Sequence, residues 1–150
     1  MVRKKTRAHA PATPMAKADI QALAHFRYQL RRFLRFSEEV AHEHGVTPLQ
    51  YLLLLQIRGY PGRDWATITE LAERLQAQHH GVVSLVSRCE AAGLVRRSVS
   101  TEDRRCVEVR LTAKGKGLVD VLANLHRVEL LSFRGALSAP EIPVPRRRQA

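Results

Sequence analysis

The chain has 150 residues, the size of one folded domain, and its hydrophobic (45%) and charged (26%) fractions are those of an ordinary globular protein. This composition excludes a wholly disordered chain, a collagen-like chain and a disulfide scaffold, since only two cysteines are present. Lys and Arg outnumber Asp and Glu by 25 to 14, and the resulting net charge of +11 is typical of proteins that meet nucleic acid or an anionic membrane surface.

The chain begins with a basic segment and continues into a long amphipathic helix. Residues 1–16 show no apolar periodicity and are predicted to form a disordered arm. Over residues 17–45 the spacing of apolar side chains predicts a helix that ends at Gly45. Its apolar stripe consists of Leu23, Phe26, Leu30, Phe33, Leu34 and Val40.

Two capping boxes mark the starts of the next helices. Thr47 is followed three residues later by Gln50, with a proline between them at the first helical position, which predicts a helix start. Thr67 and Glu70 repeat the pattern and predict a short helix from Ile68 to Leu75.

A fourth helix is predicted from about Gln78 to Ala92, after a brief turn. Its apolar residues recur at the spacing of one helical face, and we expect that face to be buried. The face comprises Val82, Leu85, Val86 and Cys89.

A hairpin and a last helix complete the pattern. Val95 to Ser100 and Cys106 to Leu111 are predicted strands, joined by a polar tip over residues 101–105. A helix is predicted over residues 112–137, and the proline-bearing residues 138–150 are predicted to form a flexible tail. The apolar stripe of this last helix consists of Leu118, Val121, Leu122, Leu125, Val128 and Leu131.

This order of elements predicts a single, mostly α domain with a small β-wing. Within it, residues 46–111 form a winged helix-turn-helix lobe. The end helices over residues 17–45 and 112–137 carry more apolar surface than so small a lobe can cover, which predicts that they form a dimer interface. A monomer that folds both helices onto its own lobe is the alternative.

The polar face of the fourth predicted helix carries side chains that can hydrogen-bond with base edges in the major groove. These candidate DNA contacts are Gln78, His79, His80, Ser84, Ser87 and Arg88. In the hairpin tip, Arg104 and Arg105 can enter a narrow minor groove, where the negative potential is strongest. Asp103 is expected to hold the Arg105 guanidinium through a bidentate pair. An isolated polar helix is more often simply solvated, but the adjacent hairpin favours DNA contact.

The distribution of charge favours nucleic acid over a membrane. Residues 1–17 carry five basic groups and no acid, and residues 138–150 carry three arginines and one glutamate. Residues 78–116 hold eight basic and four acidic groups, whereas residues 18–77 and 117–137 balance at nine of each. The charge of the predicted body therefore lies in the segment predicted to touch DNA, and no basic helix with an apolar face accompanies it.

Several groups of residues, at their spacing along the chain, carry a family resemblance. They are Leu-Ala-Glu-Arg-Leu over residues 71–75, Glu-Ala-Ala-Gly-Leu-Val-Arg-Arg over 90–97, Asp-Arg-Arg over 103–105 and Leu-Thr-Ala-Lys-Gly over 111–115. Through them the chain resembles the MarR family of transcriptional regulators over roughly residues 18–137. It departs from the family's Ser/Thr-rich pattern at the start of the fourth helix, which reads Gln-His-His-Gly over 78–81.

The resemblance implies a homodimer that binds a pseudo-palindromic operator in double-stranded DNA, most simply as a repressor. It implies that Asp103 supports Arg105 in the minor groove. It also implies a small phenolic or other aromatic effector, bound between the dimerisation helices and the DNA-binding lobe. Candidate lining residues are Tyr28, Arg31, Phe33 and Tyr51, each of which is equally consistent with ordinary core packing.

Two other functions remain open from the sequence. A redox-responsive regulator of the same fold would use Cys89 or Cys106, and a sequence-independent architectural DNA-binding protein would account for the basic ends. No nucleophile, phosphate-loop or metal-ligand spacing predicts an enzyme, a cofactor or a metal site. No apolar run approaches the length of a bilayer span, so we expect a cytoplasmic protein with reduced thiols and no membrane partner.

Overall fold

A computed structural model describes residues 14–135 and 137–143 of the chain. Within these residues lie five α-helices and three β-strands: α1 (Lys17–Glu43), α2 (Pro48–Arg58), β1 (Trp65–Thr67), α3 (Ile68–Leu75), α4 (His79–Ala91), β2 (Val95–Val99), β3 (Val107–Leu111) and α5 (Ala113–Phe133). The structure confirms the mostly helical fold with a small wing. Most of the predicted disordered arm and of the predicted flexible tail lies outside the described residues.

Both predicted capping boxes are present. The Thr47 hydroxyl accepts the Gln50 backbone N–H at 3.1 Å, and the Gln50 side chain accepts the Thr47 N–H at 2.9 Å. In the same way, the Thr67 hydroxyl accepts the Glu70 backbone N–H at 3.3 Å, and the Glu70 carboxylate accepts the Thr67 N–H at 2.8 Å. Because these bonds satisfy backbone donors that a helix start leaves open, they fix where α2 and α3 begin.

The predicted hairpin forms one side of a three-stranded antiparallel sheet in the order β1-β3-β2. β2 pairs with β3 from Val95 opposite Leu111 to Val99 opposite Val107. The sequence did not indicate β1, which pairs with the other edge of β3 and places Trp65 opposite Arg110. A strand of three residues is too short to show the alternation by which strands are recognised.

The core of the lobe is built around α2, as its apolar composition suggests. Leu53, Leu54 and Ile57 are fully buried, and the predicted inner face of α4 is buried against the same cluster. At the other end of the chain, α5 ends at Phe133, whereas the sequence predicted a helix that continues to about residue 137. The chain instead turns through Gly135, whose φ of +78° is a left-handed conformation.

The end helices leave much of their predicted apolar stripes uncovered. Leu23 and Leu34 of α1 are exposed, and of the predicted α5 stripe only Leu122 is buried. α5 packs onto its own chain through a different face, formed by Gly115, Val119, Leu122, His126 and Phe133. The exposed side of α5 carries Val121, Leu125, Val128, Leu130 and Leu131. None of the helices among the described residues has the length and apolarity that crossing a bilayer requires.

Candidate nucleic-acid interface

The start of α4 is set by a tight turn after α3. Gln76 adopts a left-handed conformation with φ of +50°, and its backbone N–H closes the end of α3 on Glu73. Gln78 is the residue before α4, and its side chain makes no capping hydrogen bond. Neither does the first turn of α4 contain an acidic residue. The N-terminal backbone donors of this helix therefore point outward without a side-chain acceptor, which suits an approaching phosphate.

The predicted polar face of α4 is exposed except at Ser87. Gln78, His79, His80, Ser84 and Arg88 all lie on the surface. Ser87 is half-buried, and its hydroxyl donates to the Val83 carbonyl at 3.0 Å while accepting from Arg97 at 3.2 Å. These two bonds use the donor and one of the two acceptor sites of the hydroxyl, so the predicted base contact of Ser87, which stays a prediction, is limited to accepting a hydrogen bond.

The wing tip places Arg105 on an ordered turn. Its side chain is 93% exposed, and its Nε lies 3.4 Å from Asp103 Oδ1. The pair is therefore a single long contact and not the bidentate fork expected from the sequence. Asp103 instead organises the backbone of the tip, because the same Oδ1 accepts the Arg105 N–H at 3.0 Å. Arg104 is exposed beside it.

One groove joins the wing to the helix-turn-helix. It has a volume of about 360 Å³, and its walls include Thr69, His79, Val83, Arg97 and Arg105. The structure thus brings His79 from the start of α4 and Arg105 from the wing tip to the same surface. Both residues are candidate DNA contacts from the sequence, one from a helix predicted to enter the major groove and one from the adjacent wing.

Glu90 and Arg97 begin and end the motif over residues 90–97 that carries the family resemblance, but the sequence did not predict that the two side chains pair and connect α4 to the wing. Arg97 Nε donates to Glu90 Oε2 at 2.8 Å, and the Arg97 backbone N–H donates to Glu90 Oε1 at 3.2 Å. These bonds, the backbone one first, hold the pKa of the Glu90 carboxyl below its usual range. Glu90 lies in a helix and Arg97 in a strand, and the residue spacings that predict side-chain pairs apply only within one element.

The four predicted effector-lining residues do not form one site. Phe33 and Tyr51 border a cavity of about 420 Å³ between α1, α2 and α5, with Leu55, His126 and Arg127. Tyr28 and Arg31 lie instead on an open groove along the outer side of α1. The described chain therefore does not bring Tyr28 and Arg31 into one cavity with Phe33 and Tyr51, and their role in binding an effector stays a prediction.

His126, which the sequence did not indicate, lies at the centre of the aromatic cluster beside this cavity. Its ring stacks on Tyr51 with centroids 5.0 Å apart and meets Phe33 edge-on at 5.8 Å. Nδ1 lies 2.7 Å from the Leu122 carbonyl, so we assign the proton to Nδ1. Nε2 is buried with no hydrogen-bond partner among the described residues.

The two thiols are poorly suited to rapid oxidation. Burial raises the pKa of Cys89 to about 11. Loss of hydration and the neighbouring Asp103 carboxylate also raise the pKa of Cys106. A thiolate is the reactive form, and both environments disfavour it at neutral pH.

Comparison with known proteins places these features in context. A family model described as the MarR family matches residues 44–105. The HTH-type transcriptional repressor MdtR of Bacillus subtilis is 30% identical over 77 residues, which are 51% of this chain and 48% of that protein. The chain therefore spans about half the length of this curated relative.

The fold agrees with solved structures over a longer stretch. AbsC, a MarR family transcriptional regulator from Streptomyces coelicolor, superposes with a TM-score of 0.71 at 23% identity, covering 85% of this chain and 86% of AbsC. A mutant of S. aureus MepR bound to an oligodeoxyribonucleotide superposes with a TM-score of 0.62 at 22% identity, covering 75% and 81% of the two chains. At these identities the likeness shows a shared winged-helix fold.

Proposed function

The chain belongs to the MarR family, and from that premise we propose that it is a cytoplasmic, dimeric repressor that binds a pseudo-palindromic operator in double-stranded DNA. The observation that carries this proposal is the groove on which His79 of α4 and Arg105 of the wing meet. A helix in the major groove and an adjacent wing tip on the minor groove form one docking geometry. Family membership also agrees with the expectation that the chain is not an enzyme.

The proposed contacts divide by element. Gln78, His79, His80, Ser84 and Arg88 of the α4 surface face the major groove, where amide, imidazole, hydroxyl and guanidinium groups bond to base edges. Arg104 and Arg105 lie at the minor groove or its phosphates. Asp103 keeps the turn that presents them, through its bond to the Arg105 backbone.

Arg105→Ala is expected to weaken operator binding at least tenfold, about 1.4 kcal/mol, because it removes a wing-tip cation whose side chain is 93% exposed. Gel-shift titration at one fixed salt concentration measures the change, since DNA affinity varies steeply with salt. Arg58→Ala is the matched control: it removes one positive charge from the end of α2, where Arg58 contacts Asp120 at 3.7 Å. Equal affinities for the Arg105 and Arg58 variants would refute the wing contact.

Footprinting separates a regulator from an architectural protein. A regulator of this fold protects two half-sites about one helical turn, roughly 34 Å, apart. Uniform protection along the DNA, with no palindrome, would overturn the repressor proposal in favour of sequence-independent binding.

We further propose that a small phenolic or other aromatic acid releases the protein from DNA. The cavity beside Phe33, Tyr51 and Arg127 supports this: about 420 Å³ is within the range of small-molecule sites, with aromatic walls and one cation. The raised thiol pKa values favour such an effector over oxidation of Cys89 or Cys106.

A thermal-shift screen of phenols and aromatic carboxylic acids tests the effector. A ligand at 100 times its Kd is expected to stabilise the folded protein by about 2.7 kcal/mol and to lower operator affinity. Ala123→Phe, which places a ring at the wall of the cavity, should remove the shift. A compound that shifts both proteins equally binds elsewhere, and a screen in which no aromatic acid shifts the native protein contradicts this effector class.

A further inference from the structure

We propose that Arg97 is a positioning residue that holds the wing in a set orientation to α4, so that the helix and the wing tip engage DNA together. The inference rests on the proposed DNA-binding function and adds to it a residue that touches no base. It also accounts for the hydrogen bond that the Ser87 hydroxyl accepts from Arg97.

The contact between Arg97 and Glu90 fixes a strand to a helix at two points. Both carboxylate oxygens of Glu90 are used, one by the Arg97 backbone N–H at 3.2 Å and the other by Nε at 2.8 Å. Because one bond comes from the main chain and one from the side chain, the carboxylate constrains both the position of β2 and the direction of the guanidinium. Charge-assisted bonds of this kind are stronger than those between neutral groups.

Ser87 extends the contact to a second turn of α4. Arg97 Nη1 donates to Ser87 Oγ at 3.2 Å, and that hydroxyl donates in turn to the Val83 carbonyl at 3.0 Å. Ser87 and Glu90 are three residues apart and therefore lie on the same side of the helix. One arginine thus connects β2 to two successive turns of the helix that carries the proposed base contacts.

The position of Arg97 is transmitted to the wing tip through the hairpin. Arg97 lies opposite Val109 in the β2–β3 ladder, which continues to Val99 opposite Val107. Just beyond it, the Ser100 N–H donates to the Cys106 carbonyl at 2.9 Å, next to Arg105. Arg97 and Arg105 also lie on the same groove. A change in the angle of β2 against α4 therefore moves Arg105 relative to the major-groove face.

The arrangement is suited to positioning more than to stabilising the fold. The side chains of Arg97 and Glu90 are 36% and 34% exposed, and pairs exposed to this degree contribute little to the free energy of unfolding. Glu90→Ala should therefore leave the protein folded. It also removes a negative charge close to the DNA-binding face, so by charge alone it would tighten binding. A loss of DNA affinity in Glu90→Ala would therefore be opposite to the effect of charge and would indicate that the wing has lost its position.

A double-mutant cycle of Glu90→Ala and Arg105→Ala, measured by operator gel shift, tests the proposal. We expect Glu90→Ala alone to weaken binding by about threefold or more. We expect Arg105→Ala, which costs at least tenfold in the native background, to cost only about threefold when Glu90 is absent, because an unfixed wing no longer presents its arginine. Arg97→Lys, which keeps the charge but cannot reproduce the guanidinium bonds, should behave like Glu90→Ala.

Asp64→Ala is the matched control for the cycle. Asp64 pairs with Arg110 of the same sheet at 3.0 Å, with the two side chains 58% and 45% exposed, and its partner lies on β3 and not on α4. Its effect should be additive with that of Arg105→Ala. Hydrogen exchange of the free proteins supplies a reading that needs no DNA: Glu90→Ala should speed exchange at the N–H groups of β2 and the tip, and Asp64→Ala should not.

The outcomes are distinguishable. Additive effects of Glu90→Ala and Arg105→Ala, or unchanged exchange in the wing, would overturn the positioning role while leaving a DNA-binding repressor intact. A native protein that protects no palindrome would overturn the proposed function and this inference with it.

Discussion

Replacing Gly115 with alanine is expected to lower the free energy of unfolding by about 3 kcal/mol or more, the upper range for inserting an atom into a packed interior. A Cβ at this position would lie 2.1 Å from the carbonyl oxygen of Leu94 and 3.1 Å from its carbonyl carbon. Both are backbone atoms, so no side-chain rotation can relieve the overlap. The first turn of α5 or the segment after α4 would have to move.

That movement would break a junction on which α4 depends. The Thr112 hydroxyl donates to the Gly93 carbonyl at 2.6 Å, and Lys114 Nζ donates to the Ala92 carbonyl at 3.0 Å. Residues at the start of α5 therefore satisfy carbonyls that the end of α4 leaves open. Gly115 is the residue that lets the two segments approach closely enough for those bonds.

Gly117→Ala provides the control, two residues further along the same helix. No atom lies within 4 Å of the Cβ it would carry, so alanine should raise stability by up to about 1 kcal/mol through its higher helix propensity. Chemical denaturation of both variants at one protein concentration measures the difference, because the proposed dimerisation would make apparent stability depend on concentration. Similar unfolding midpoints for the two variants would show that the Gly115 contact is not tight in solution.

The sequence predicted best those elements whose ends are decided by neighbouring residues. The starts of α2 and α3 follow from hydroxyl and amide or carboxylate groups three residues apart, and such chemistry is visible in any sequence. The buried face of α4 was predicted for the same reason, since a helix places residues of known spacing on one side. The family resemblance, carried by the motifs of the lobe, is confirmed by the family match.

What the sequence could not show depends on contacts between separate elements. Ser87 has the spacing of a surface residue, and the bond that its hydroxyl accepts from Arg97 exists only because β2 packs against α4. Nothing in the sequence around His126 distinguishes it from other residues of its helix, because its aromatic contacts come from Phe33 and Tyr51 on two other helices. The predicted α5 stripe is left largely exposed, because its own chain covers mainly a different face, and the role of the stripe in a dimer interface stays a prediction. The DNA contacts remain predictions.

The uncovered α5 face leads to the second large expected effect. Val128→Glu should convert the proposed dimer to monomer and weaken operator binding about 100-fold. Val128 is 66% exposed and neighbours the exposed Val121, Leu125 and Leu131, while Ile20, Leu23 and Leu34 are exposed on α1. If two copies bury these faces together, each dimer would contain two unpaired carboxylates, and an uncompensated buried charge costs about 3–5 kcal/mol. Loss of the second lobe then removes one half-site from every complex.

Val99→Glu separates the interface from a general effect of an added carboxylate. Val99 is 60% exposed, close to the exposure of Val128, but it lies on β2 of the wing. Sedimentation equilibrium should show a dimer for this variant and a monomer for Val128→Glu. Because Val128 has little contact with its own chain, the Val128→Glu monomer should keep its helical circular dichroism. A variant that is folded but monomeric would show that Val128 lies at a contact between two copies. A dimer that persists in Val128→Glu would place the interface on another face, and the exposed α5 residues would then need a different explanation.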